Sequence, residues 1–145
     1  MDMTPQEYQA YVKKKEPKSP LLKDVLLAFL IGGAICTVGQ LIMNGWGAAG
    51  LSKEDAGTAT SCTLVLLSAV LTGLGLYSRL ARFGGAGTLV PITGFANSVA
   101  APAVDFRSEG LITGMAVKMF TIAGPVIVFG TLASVIYGVV LMLFR

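Results

Sequence analysis

The sequence contains no histidine and only two cysteines. Ser61, Ser68, Ser98 and Ser134 therefore have no imidazole to activate them, and catalysis has little support. A zinc or haem site has no credible ligand set, and no cofactor is expected. Cys36 and Cys62 stand alone within apolar segments. They fit buried free thiols packing as small hydrophobes, with a disulfide between them left open. Charge is scarce too: 13% of residues, where a soluble domain of this size keeps about 25%. With a mean hydropathy of +0.73, that deficit argues for an integral membrane protein. The net charge of +3 gives no reason to invoke nucleic acid. The polar first twenty residues lack an apolar stretch followed by a cleavage site, so insertion through internal helices is expected.

What is present is hydrophobic and unevenly broken. The most informative stretch is Phe83–Val104, FGGAGTLVPITGFANSVAAPAV, which carries no charge over 22 residues. It is long enough to cross a bilayer, yet it is dense in glycine and interrupted by Pro91 and Pro102. It also holds Thr88, Thr93, Asn97 and Ser98. Backbone this irregular is tolerated at membrane depth only where it is buried in protein or lines a wet cavity. The segment is therefore expected to be the working part of the molecule.

The rest reads as scaffold. Residues 1–24 form a basic arm with Lys13, Lys14, Lys15, Lys18 and Lys23, and residues 25–145 form the transmembrane domain. Thr4 can cap a short helix with Pro5 first and Glu7 three residues after the cap, ending near Lys15 before Pro17. The arm is either a solvated tail or a helix on an anionic membrane surface. Val25–Met43 is the first uncharged span, with Gly32, Cys36 and Gln40 at spacing four. Gln40 is read as an interhelical hydrogen bond or a pore-facing amide. Asn44–Ala56 is expected as a loop, with Trp46 at headgroup level. Gly57–Tyr77 is the second span, with Ala69 and Gly73 as a small pair, and Arg79 and Arg82 mark its exit.

After the broken stretch, Gly110–Phe144 would be about 52 Å long as one helix, too long for one crossing. A split at Pro125 gives a short amphipathic helix, Gly110–Ala123, and a last span, Pro125–Phe144. Gly130, Ser134 and Gly138 share one face of that span. The expected fold is thus an all-α integral membrane protein of about four crossing segments, the third broken by Gly and Pro. Five lysines in the arm, and Arg79 with Arg82, favour both termini inside. If residues 83–104 dip in and return, the termini fall on opposite sides.

Candidate solute-path residues follow from polarity and helix breaking. Pro91 and Gly94 bracket Thr93, freeing backbone groups, and Thr93 and Asn97 add side-chain donors and acceptors at helical spacing. The alternative is a kinked packing helix that satisfies its own polar groups. Gln40 and Lys118 complete the set. Lys118, the only charge between Gly110 and Phe144, lies at the interface in water, faces an aqueous path, or pairs with Glu109 or Asp105. Gly84, Gly85 and Gly87 lack both the dinucleotide spacing and the Walker lysine. They suit a surface turn and close backbone approach.

GGAGTLVPITGFANS (Gly84–Ser98) resembles the signature stretch of the stage V sporulation protein AC (SpoVAC) family. AFLIGGAICTVGQ in the first span, SEGL at Ser108–Leu111, GPVIVFG in the last span and the N-terminal YVKKKEPKSPLLKD are similar to that family as well. The resemblance implies a channel subunit in the spore inner membrane, and the lysine-rich arm puts its N-terminus on the cytoplasmic side. The family moves dipicolinic acid with calcium during sporulation and germination, and is described as tension-gated. It implies a SpoVAEb-like membrane subunit and a SpoVAD-like soluble subunit as partners in a homo- or hetero-oligomer within the lipid bilayer. A coupled carrier and a non-conducting structural subunit are the competing classes. No acidic residue lies inside any span to serve as a carrier's coupling site.

Overall fold

The computed structural model describes residues 4–15 and 20–144, apart from the Ala10 side chain, and is all α among them. α1 runs Pro5–Lys15, α2 Leu21–Ala48, α3 Lys53–Gly73, α4 Leu76–Gly84, α5 Ala86–Leu89 and α6 Ile92–Asp105. A 3-10 turn, Arg107–Glu109, and a π turn, Leu111–Ala116, lead into α7, Val117–Leu143. Among the described residues, three stretches are long and apolar enough to cross a bilayer: Leu21–Ala48, Lys53–Gly73 and Leu111–Leu143.

The expected start of α1 is present. Thr4 donates its backbone N–H and its hydroxyl to Glu7 Oε2, both at 2.9 Å, and the Glu7 N–H reaches back to Thr4 Oγ1 at 3.4 Å. Pro17 and Lys18, on which the expected helix end and part of the basic arm rest, lie outside the described residues. The Thr4 bonds, backbone first and hydroxyl second, hold the Glu7 carboxyl below its ordinary range. A depressed carboxylate supports the cap above the unfolded pKa and withdraws it as pH falls through the folded value. The helical chemical shifts of α1 should therefore fade over that acid window, and Glu7→Gln should abolish the pH dependence. Unchanged shifts on acidification of the parent protein would contradict this cap.

Two boundaries and one burial differ from expectation. Asn44–Ala56 is not a loop: α2 continues through Ala48, and the turn before α3 is confined to residues 49–52. Ser52 caps α3, accepting from the Asp55 N–H at 3.2 Å and donating to Asp55 Oδ2 at 2.7 Å. The cap three residues ahead of a carboxylate outweighs the glycines as a boundary signal. Trp46 is consequently helical, and its indole N–H meets Thr63 Oγ1 at 3.3 Å. The short amphipathic helix expected over Gly110–Ala123 is also not separate. It forms the first part of one column, Leu111–Leu143, that passes through Pro125. Proline clashes with the Cβ of the residue before it, and that residue is Gly124, which has none. The free thiols expected to be buried, Cys36 and Cys62, are both exposed on this single chain.

The stretch 83–104 is broken, as expected, and it breaks twice. Gly85 has φ +46° between α4 and α5, a left-handed conformation suited to glycine. Pro91 (ψ 160°) then separates α5 from α6. α6 has 14 residues and is about 21 Å long, short of the roughly 30 Å core of a bilayer. It packs chiefly on α3, while α5 and α4 rest on α2. The buried positions of α3 are Ala56, Thr60, Ser68 and Thr72, a stripe at multiples of four residues that spans about 24 Å.

Candidate functional site

The α3–α6 contact is built from hydroxyls. Ser68 Oγ donates to the Thr93 carbonyl at 2.6 Å. One turn on, Thr72 Oγ1 lies 2.7 Å from the Ser68 carbonyl and 2.8 Å from Asn97 Oδ1. The Tyr77 hydroxyl, from the first turn of α4, lies 2.8 Å from the Thr88 carbonyl and 2.9 Å from Thr93 Oγ1. Thr88 Oγ1 in turn donates to the Gly85 carbonyl at 2.9 Å. Ser68, Thr72, Tyr77, Thr88 and Thr93 are all buried.

The arrangement clamps the break. A proline-interrupted helix leaves backbone carbonyls without intrahelical donors. Here Tyr77 lies within reach of the Thr88 carbonyl near the end of α5, while Ser68 ties the first turn of α6 to α3 through the Thr93 carbonyl. In a low-dielectric interior such a bond is worth more than at a surface, and its loss strands a buried acceptor. Among the described residues, no buried side-chain nitrogen or oxygen is left without a partner.

Close backbone approach completes the clamp. A Cβ placed on Gly87 would overlap the Ala28 carbonyl oxygen of α2. One on Gly32 would lie 3.1 Å from the Gly87 carbonyl oxygen, so α2 and α5 touch backbone to backbone at this pair of glycines. A Cβ on Gly94 would overlap the carbonyl oxygens of Thr88 and Leu89. Gly94 is thus a packing residue at the kink.

The six candidate path residues fall in three places. Pro91, Thr93, Gly94 and Asn97 come together at the break. Thr93 and Gly94 are buried against protein, whereas Asn97 is half-buried. Gln40 stands apart on α2, exposed, with its amide donating to Asn44 Oδ1 at 2.9 Å along its own helix. Lys118 stands apart at the start of α7, half-buried, with its ammonium 4.3 Å over the Phe106 ring. Of the three alternatives for Lys118, the contact in the fold is neither of the carboxylate pairings but a cation–π contact with Phe106.

Sequence reasoning missed Ser68, Thr72 and Tyr77 as members of this site. The available signal was the spacing of Ser68 and Thr72, two hydroxyl residues four apart inside an apolar span. Tyr77 gave no such signal, because it reads as an interfacial aromatic at a span exit.

Comparison with known proteins follows the same regions. A family model described as SpoVAC/SpoVAEB sporulation membrane protein matches residues 24–140, from the start of the first long helix almost to the end of the last. The chain is 45% identical over 141 residues to stage V sporulation protein AC of Bacillus subtilis (strain 168). That alignment covers 97% of this chain and 94% of the relative. No solved structure matches. With three apolar helices of crossing length and a family match over most of its length, the chain belongs to the SpoVAC/SpoVAEB family of sporulation membrane proteins.

Proposed function

We propose that the chain is a subunit of a channel in the spore inner membrane that passes dipicolinic acid with calcium and opens under membrane tension. The observation that carries this reading is the broken α5–α6 segment. It is held by hydroxyls and glycine contacts, with the Asn97 amide at its half-buried edge. Irregular backbone at membrane depth belongs either against protein or beside water. In this reading Thr93 and Gly94 take the protein side, and Asn97 and Ser98 take the water side. Helices that meet through backbone and small residues have little side-chain interlock to oppose sliding.

In this topology residues 83–104, which carry α5 and α6, make the third of four crossings, with Arg79 and Arg82 of α4 on the inside before it and both termini cytoplasmic. The length of α6 beside the buried stripe of α3 supports that choice over a segment that dips and returns. The path itself lies between subunits. α7 buries none of its residues within the chain, which leaves it free to meet SpoVAEb-like membrane partners or further copies, with a SpoVAD-like soluble subunit at the surface. Dipicolinate is a dianion and its one-to-one calcium complex is neutral, so a polar route with few fixed charges suits the complex.

Purified protein in liposomes, with current recorded under applied tension, tests the reading. Stretch-activated conductance is expected, and Asn97→Leu should lower it about fivefold, the effect of roughly 1 kcal/mol on a barrier. Silence of the chain alone, followed by conductance when the membrane partner is added, keeps the channel assignment and makes the subunit obligate. Silence in both settings leaves a structural subunit. Conductance untouched by Asn97→Leu removes Asn97 from the path.

A further inference from the structure

Gln40 takes no part in the clamp, and α2 carries a pattern of its own around it. Thr37, Gln40 and Asn44 are the only hydroxyl and amide side chains of α2. They stand three and four residues apart, and the same alternation runs back through Gly33, Leu30 and Leu26. All six are exposed on the single chain. This spacing puts them in one stripe about 27 Å long, with the repeat of a seam between two parallel helices. Gly32 and Gly39, where an added Cβ would meet Gly87 of α5 and Leu64 of α3, lie off the stripe on the side turned to the protein. Gly33, or an alanine in its place, is small enough to let two helices approach.

Both amides have bonding capacity to spare. Gln40 Nε2 donates to Asn44 Oδ1 at 2.9 Å, which uses one Gln40 hydrogen. The Gln40 oxygen, its second N–H and the Asn44 N–H groups have no other partner among the described residues. Thr37 and Gln40 fall inside the uncharged run 25–43, at bilayer depth. An amide set against hydrocarbon there keeps those groups unpaired at a high cost.

The stripe changes character halfway, and the change selects its cover. Lipid suits Leu26 and Leu30 but fails the amides. Water suits the amides but fails the leucines. A second copy of α2, inserted the same way and therefore parallel, sets leucine on leucine and amide on amide. An amide both donates and accepts, so like can meet like across a two-fold axis. The stripe carries no charge, so two copies do not repel.

We propose that α2 pairs with α2 of a second copy of this chain along the stripe from Leu26 to Asn44, with reciprocal hydrogen bonds between the Gln40 and Asn44 amides of the two copies. The contact does not rest on what the chain conducts.

The experiment is disulfide scanning of the full chain in liposomes at low protein density, with Cys36→Ser and Cys62→Ser removing the native thiols. Thr37→Cys, Gln40→Cys and Asn44→Cys should each join two copies. Ala34→Cys and Val38→Cys, exposed on another face of α2, should not. Energy transfer between labelled copies then measures the affinity. Gln40→Leu should weaken it roughly tenfold, the worth of an interhelical amide contact in a membrane. Val38→Leu, off the stripe, should leave it unchanged. Joining that is equal on both faces, or confined to positions 34 and 38, overturns the pairing. Absence of joining along the stripe overturns it as well. Labelling of positions 37 and 40 by an impermeant maleimide would then put the stripe on water, and joining to a different protein in native membranes would put another helix there. Unchanged affinity in Gln40→Leu overturns the amide contact.

Discussion

Gly87→Ala should unfold this protein at a markedly lower temperature than the parent. The added methyl would occupy the Ala28 carbonyl oxygen of α2, which is backbone and cannot rotate away. Overpacking of an interior costs about 1–3 kcal/mol when side chains can adjust. Here α2 and α5 must separate, so the expected loss lies at or above the upper end of that range. Separation also weakens the approach of Gly32 to Gly87 and carries Thr88, which neighbours Tyr77, away from the clamp. The control is Gly33→Ala on the exposed side of α2, where the new Cβ meets nothing within 4 Å. That change should be neutral or stabilising by up to about 1 kcal/mol, the helix-propensity gain of alanine over glycine. Thermal unfolding in nanodiscs distinguishes them. Equal midpoints for the two variants would remove the backbone contact from the account of the fold.

Tyr77→Phe should loosen the break without disturbing the long helices. It deletes one hydroxyl and leaves the Thr88 carbonyl and Thr93 Oγ1 short of a partner in a buried place. The expected cost is about 1–3 kcal/mol, that of an unsatisfied buried group. The readout is local. Amide exchange should quicken over residues 86–94 and stay unchanged in the middle of α2. Ser78→Ala, one position on and exposed, should leave exchange as it was. Paired with Thr93→Val, the tyrosine change should be non-additive by about 0.5 kcal/mol or more, as for residues that share one hydrogen-bond network. Strict additivity would mean that the hydroxyls act singly. In the channel reading, the same variant should open at lower tension.

The breaks and the long apolar runs were legible because their causes are local. Pro91 removes a donor wherever it stands, and Gly85 supplies a conformation that few other residues adopt. Thr4, Pro5 and Glu7 announce a helix start within four residues. Where the local reading erred, a second local signal competed with the first. Gly45 and Gly47 suggested a loop, but Ser52 and Asp55 set the turn later. Pro125 suggested a split, and Gly124 before it, with no Cβ, eased the passage of the helix through the proline.

The role of each polar residue was not legible, because it depends on partners far along the chain. Ser68 and Thr72 meet groups 25 residues away, and Tyr77 reaches 16 residues to Thr93. Thr93 and Asn97 read alike in the sequence, as two small polar residues one turn apart. In the fold one is buried against Tyr77 and the other lies half open.

By itself the sequence determined a membrane-embedded helical protein with a fractured stretch at residues 83–104, since hydropathy and backbone restriction act over a few residues. Only the tertiary structure decided that the fracture is clamped to α3 and α4 by hydroxyls and seated on α2 through Gly87. Those contacts join atoms brought together by packing, and no local pattern encodes which neighbour a hydroxyl or a bare Cα will meet.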